Sequence, residues 1–382
     1  ATDSDAKYPA FSSDEFDDWF DENGVKSTTK SYTVNGETVD VPELNLSALT
    51  NWIKYQSEED AFAFIDGVLG NYYAVISGNE DANLITPSVI GNLWPETWGA
   101  NADYKQHGSG VQEDPYILDS VEDLRAFAKD VANGEYKNHD SYFLLKHGTY
   151  DLGGCWIPIG FNLNNGDDSY VPFDGHFAGE DGAVIKNLGF KASNTLNVSA
   201  DLATTVRSQK YAGFFGVVEG ATINNIQIQT SGTMDVNAEM SGILAGCAVD
   251  STIRDVEVSN AKICGTTYVG GLVGVAKSSS ASADARDMII EDTNCAKVSV
   301  YTNTAVTGAT DGIDGHGAVG GVVGYAVNAS VIDSTVTTNT GSGNHIYGKH
   351  AFVGGIAGVS ENSDILNSYV KNGEIGDNDA FA

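Results

Sequence analysis

Beyond residue 140 the chain alternates short apolar runs, rich in Val, Ile and Leu, with glycine, asparagine and aspartate, and no long helical period appears. Three phrases nearly coincide: VGGLVGVA at Val269 to Ala276, VGGVVGYA at Val319 to Ala326 and FVGGIAGVS at Phe352 to Ser360. Aligning Gly213, Gly242, Gly271, Gly321 and Gly355 gives steps of 29, 29, 50 and 34 residues. A second strand follows, as ATINNIQIQ from Ala221, STIRDVEVS from Ser251, ASVIDSTVT from Ala329 and SDILNSYVK from Ser363. Ile223, Ile253, Val331 and Ile365 then share one column, and Asn225, Asp255, Asp333 and Asn367 another. AVIKNLGF adds Ile185 and Asn187 to these columns, while MIIEDTNCAKVSV is a degraded copy inside the long step.

A unit of about 30 residues built from short strands and glycine turns cannot bury its own apolar side chains, so it must stack on its neighbours. The pattern predicts a mainly β, parallel β-helix (β-solenoid) from about 140 to 372, with Leu, Ile and Val filling the interior. Glycines mark tight bends between faces, and the Asn and Asp columns mark turns that tolerate left-handed backbone or hydrogen-bond along the stack. A propeller blade needs about 40 or more residues, which these repeats do not supply.

Upstream, Ser120 and Asp123 form a capping box before an apolar stripe of Val121, Leu124, Phe127, Ala128 and Val131 that stops at Gly134. This predicts an amphipathic N-terminal capping helix over the first rung. SYFLL, WIPIG and FDGHF read as short strands after it. Residues 1–105 read as a smaller mixed α/β N-terminal region, separate from 106–382 and with a docking or assembly role. Ser12 and Glu15 open a helix carrying Phe16, Trp19 and Phe20; further helical patterns lie near Ser47 to Tyr55 and Glu58 to Leu69; YTVNGETV sets Asn35-Gly36 between two strands of a hairpin.

The glycine phrases, each followed by an Ile/Val-x-Asn/Asp strand, resemble the GLUG-motif repeats of bacterial secreted and surface proteins, and GSGVQEDPYILDSVEDLRAFA is similar to the segment that often precedes them. The resemblance runs from about Gly108 to Asn372 and implies a right-handed β-helix on an exported, adhesin-like protein. The family's Asn-Cys pair survives only as Asn294-Cys295, and the motif at Ser241 has drifted.

Charge narrows the partners. With 20 Lys plus Arg against 52 Asp plus Glu, the net charge of -32 disfavours nucleic acid and anionic membrane surfaces. No run of about 18 apolar residues predicts a membrane span. The opening at Ala1 without Met suggests a processed chain. Cys155, Cys247, Cys264 and Cys295 lack C-x-x-C spacing and read as buried thiols, with one disulfide allowed in an oxidising compartment.

Candidate chemistry is sparse. GHGAVG at Gly315 to Gly320 fits a dinucleotide fingerprint and GNHIYGKH at Gly343 to His350 nearly fits a phosphate loop, but both belong to strand repeats with no helix to present. His316, His345 and His350 lack a metal-ligand spacing and read as loop histidines. Asp167 and Asp168, and Asp311 and Asp314, are the candidate calcium ligands, against ordinary turn chemistry; no other cofactor is expected. Asn45, Asn197 and Asn328 head N-x-Ser sequons. Asp174 and His176 are the best acid–base pair for a polysaccharide-active β-helix enzyme, yet the four arginines, Arg125, Arg207, Arg254 and Arg286, form no column that would hold an acidic sugar. The expectation is a non-enzymatic, extracellular or cell-surface structural and adhesive solenoid. Its expected partners are copies of itself, joined head to tail into a filament, or a surface glycan or protein; the alternative is a carbohydrate-binding module or enzyme.

Overall fold

A computed structural model describes residues 26–34, 37–44, 94–95, 97–136, 140–161, 170–230, 232–280, 287–302, 316–338, 345–372 and 374–376, with only the backbone of 26–44. The chain divides into two compact units, Ala1–Leu93 and Trp94–Ala382. In the first, Lys26–Val34 pairs antiparallel with Glu37–Leu44, and Tyr32 lies opposite Val39, as the Asn35-Gly36 spacing predicts. The three helical patterns of that region lie outside the described residues. Trp94, Trp98 and Tyr104, which fall before the expected boundary at 105, are buried in the second unit.

That unit is mainly β and built from parallel sheets, compatible with a β-solenoid. A first face stacks Tyr211–Ala212, Met240–Gly242, Tyr268–Gly270, Gly317–Gly320 and Ala351–Gly354. A second stacks Phe215–Glu219, Ala245–Val249, Val273–Lys277, Val323–Val327 and Ala357–Glu361. A larger sheet continues the coil and contains the expected isoleucine column: Ile223, Ile253, Ile290, Val331 and Ile365 pair in succession. Ile290 comes from the degraded copy, so that copy keeps its place in the core.

Two alignments shift. Gly242 pairs with Gly270, and Gly270 with Gly320 and then Gly354, one residue before the glycines first aligned with it. Ile185 pairs with Ile228, not Ile223, whose neighbour on that side is Phe177; AVIKNLGF therefore lies one face later in the coil. Two element predictions also change. WIPIG makes only an isolated bridge between Ile159 and Phe215, because its proline lacks the ladder N–H. A short helix, α2 at Ala200–Arg207, interrupts the strands with Ser199 accepting from the Leu202 N–H.

The glycine phrase now has a steric reason. A Cβ on Gly270 would lie 1.8 Å from the Val273 carbonyl oxygen, and one on Gly274 would lie 2.5 Å from the Gly246 oxygen. None of the glycines in VGGLVG adopts a positive φ. They are needed because the first and second faces fold tightly against each other, not because of a left-handed turn. Outside this fold a second apolar seam forms from Val217, Cys247, Tyr268, Val275 and Ala318, with Tyr268 and Tyr325 stacked at 5.4 Å.

The corner residues behave as the Asn/Asp column predicts. Asn225, Asp255, Asp333 and Asn367 have φ of 53°, 53°, 49° and 51°, joined by Asp292 at 51°. The Asn225 amide donates to the Gly179 carbonyl, and that of Asn362 to Asn328 Oδ1 at 2.6 Å. The sequon at Asn328 thus sits within a corner ladder.

Helix α1, Val121–Ala132, carries the predicted capping box from Ser120 and Asp123. Leu124, Phe127, Ala128 and Val131 are buried, and the Phe127 ring lies 4.4 Å from that of Phe143 and 5.8 Å from that of Phe177. Asp123 does more than cap. Its buried carboxylate also accepts from the Asp103 and Tyr104 N–H groups at 3.0 and 3.1 Å, tying the preceding segment to the helix.

Candidate functional site

The acid–base pair suggested by FDGHF does not form. His176 Nε2 meets Asp140 Oδ1 at 2.5 Å, and its ring stacks on Tyr142 at 4.1 Å with 12° between planes. Asp174 is half-buried just before the strand, with its Oδ1 buried. Asp140, the partner that the geometry gives, sits 36 residues away in sequence, so no local spacing could have revealed it.

The three histidines make different contacts, although His316 and His350 are neighbours in successive rungs, where the Gly317 N–H donates to the His350 carbonyl at 3.2 Å. His345 Nδ1 lies 2.6 Å from Glu374 Oε2, His316 packs edge-on to Phe352, and His350 takes a left-handed corner at φ 53°. Among the described residues no group of three or more His, Cys, Asp or Glu side chains is placed to hold a metal. The calcium candidates Asp167, Asp168, Asp311 and Asp314 lie outside the described residues. Gly317–Gly320 is a strand followed by another, Val323–Val327, which removes the dinucleotide reading of GHGAVG.

All four cysteines are free and buried. Burial pushes the thiols of Cys155 and Cys247 up to about 11 and those of Cys264 and Cys295 up to about 12, so none is primed as a nucleophile. Two of the arginines serve structure: Arg125 pairs with Glu122 and lies over Trp98, and Arg254 pairs with Glu291; Arg286 lies outside the described residues. The aromatic pairs Tyr301–Tyr347 and Tyr268–Tyr325 stack along the coil with centroids 4.9 and 5.4 Å apart. Their ring faces are turned to each other, which leaves edges and not a flat platform for a sugar.

The most distinctive surface is the last rung. Ile365, Leu366, Tyr369 and Ile375 are 39 %, 51 %, 47 % and 44 % exposed, and they are four of the five exposed large apolar residues of the described chain. Ile346 pairs with Ile375, so the coil runs past Val370, where the sequence pattern fades. Among the described residues no strand lies beyond Ala351–Gly354, Ala357–Glu361, Asp364–Leu366 or Tyr369–Lys371. The chain matches no family model, no curated protein and no solved structure.

Proposed function

We propose that the chain is a non-enzymatic structural and adhesive module, a right-handed parallel β-solenoid of the extracellular or cell-surface kind. Helix α1 closes its first rung, and copies associate head to tail through the last. The observation that carries this reading is the apolar, strand-edged last rung, centred on Ile365, Leu366 and Tyr369. An exposed sheet edge with apolar side chains is a template for another polypeptide. The GLUG-like repeats and the net charge of -32 support an exported, salt-tolerant setting.

Light scattering and electron microscopy of the full chain test the proposal. End-to-end particles that dissociate in a Leu366→Asp/Tyr369→Asp double variant are expected. A wild-type chain that stays monomeric at high concentration overturns head-to-tail association. Turnover of a polysaccharide that is lost in Asp174→Ala would overturn the non-enzymatic reading.

A further inference from the structure

The second face carries a column of glycines. Register aligns Gly216, Gly246, Gly274, Gly324 and Gly358, each set between two paired residues of its strand. Four of them press on the first-face strand of the rung before. A Cβ would lie 2.8 Å from the Ala212 N at Gly246, 2.5 Å from the Ser241 N at Gly274 and 2.7 Å from the Val269 N at Gly324, and one at Gly358 would strike the Val319 N. The missing side chains thus make a slot into which an extended strand sinks.

Gly216 has the slot without the strand. Among the described residues Tyr211–Ala212 is the outermost strand of the first face on this side, and the three nearest atoms that a Cβ on Gly216 would meet all belong to the Tyr170 ring. The hydroxyl completes the substitution. Met240, which pairs with Tyr211, turns its backbone toward the rung before, where its N–H donates to the Lys210 carbonyl at 2.9 Å. On the corresponding side of Tyr211 no strand lies among the described residues, and the Tyr211 carbonyl accepts from the Tyr170 hydroxyl at 2.6 Å. The half-buried Tyr170 ring stands edge-on to that of Tyr211 at 5.0 Å, and an antiparallel bridge to the buried Phe161 anchors its backbone. One side chain therefore supplies both the bulk and the hydrogen-bond donor of a strand.

We propose that Tyr170 is an autoinhibitory plug in a strand-accepting slot. It closes this edge of the first face to an extended segment in which a large apolar residue precedes a small one, the type that the chain itself lays over the later glycines as Tyr211-Ala212 and Met240-Ser241. Such a segment would pair in parallel with Tyr211–Ala212 and sink its backbone onto Gly216. The slot lies at the opposite edge of the first face from Ala351–Gly354, so it stands or falls separately from association through the last rung.

Fluorescence anisotropy of a labelled peptide copying residues 238–244 tests this on the full chain. Tyr170→Ala is expected to bind the peptide at least about tenfold more tightly than wild type, and binding should restore, in hydrogen exchange, the protection of residues 211–212 that the substitution removes. Tyr170→Phe keeps the bulk of the plug and should stay closed. Protection at Tyr268–Gly270 reports an intact coil; where alanine loosens it, Tyr170→Val, which keeps a β-branched residue in the bridge to Phe161, carries the same comparison. Equal affinity in wild type and the opened variant, or equal absence of binding, overturns the proposal, as does a Tyr170→Phe chain that binds as the alanine variant does.

Discussion

An interior rung and the last rung are written in nearly the same letters and have different surroundings. Val269, Leu272 and Ile253 are fully buried, whereas their equivalents Val353 and Ile356 are half-buried and Ile365 is 39 % exposed. The motif thus does not bury itself. Each rung borrows its core from the rung on either side, so stability is a nearest-neighbour property and the same substitution has a position-dependent cost. The sharpest test is the isoleucine column. Ile253→Ala should cost about 3 kcal/mol through the cavity it leaves, and Ile365→Ala about 1 kcal/mol or less. Urea unfolding of the two variants measures this, and equal costs would break the comparison.

A second contrast uses thiols. Cys247 pairs with Val275, which is followed in the same column by Tyr325 and Val359. Cys247 is buried and its thiol is pushed up to about 11 by desolvation, while Val359 in the last rung is half-buried. At pH 8 the native thiols should resist alkylation, and Val359→Cys should add one site that reacts at least about 100-fold faster. A new site as slow as the native thiols would mean that the last rung is covered in solution.

Much of this was legible in the sequence because a stacked coil repeats its environment. The Ile223 to Ile365 column, the left-handed Asn and Asp corners and the Ser120–Asp123 capping box all follow from period and residue type. The slips have physical causes. Adjacent glycines such as Gly270 and Gly271 make a one-residue shift invisible, since both lack the Cβ that neighbouring backbone would clash with. AVIKNLGF was misplaced because a coil offers two similar strands per turn, and Ile185 suits either. Asp140 beside His176, and Asp123 holding Asp103 and Tyr104, depend on side chains brought together across long separations, which no local pattern encodes.

Alkaline pH should loosen the contact between the last two rungs. The Tyr325 hydroxyl donates to Glu361 at 2.6 Å; burial first, and then that hydrogen bond and the carboxylate's charge, raise the phenol from its ordinary 10.0 to about 12. A raised phenol favours the neutral, folded form. Its contribution is complete below pH 10 and is lost as pH rises through about 12. Wild-type protein should therefore lose stability across that window more steeply than Tyr325→Phe, as followed by near-ultraviolet circular dichroism. Parallel curves for the two would remove Tyr325 from the link.

The smallest expected effect separates the middle of the corner column from its ends. Asp255, Asp292 and Asp333 occupy successive rungs at φ of 53°, 51° and 49°, while Asn225 and Asn367 hold the same corner on the flanking rungs. Register fixes the stack: Arg254 pairs with Glu291, and Glu291 with Ile332, so the residues that follow them are neighbours about 4.8 Å apart along the coil. All three aspartates are exposed, so water screens them, but each still meets a like charge in the next rung. Replacing the central one by asparagine keeps a residue that tolerates the left-handed corner and removes two repulsions at once. Asp292→Asn should raise stability by about 0.5 to 1 kcal/mol at low ionic strength, and most of the gain should vanish in 1 M salt, where the screening length is about 3 Å. Asp333→Asn, with only one aspartate neighbour, should give about half as much. A gain that persists in high salt would point to hydrogen bonding along an asparagine ladder as its source, and no gain at either salt would show that the exposed carboxylates turn away from one another.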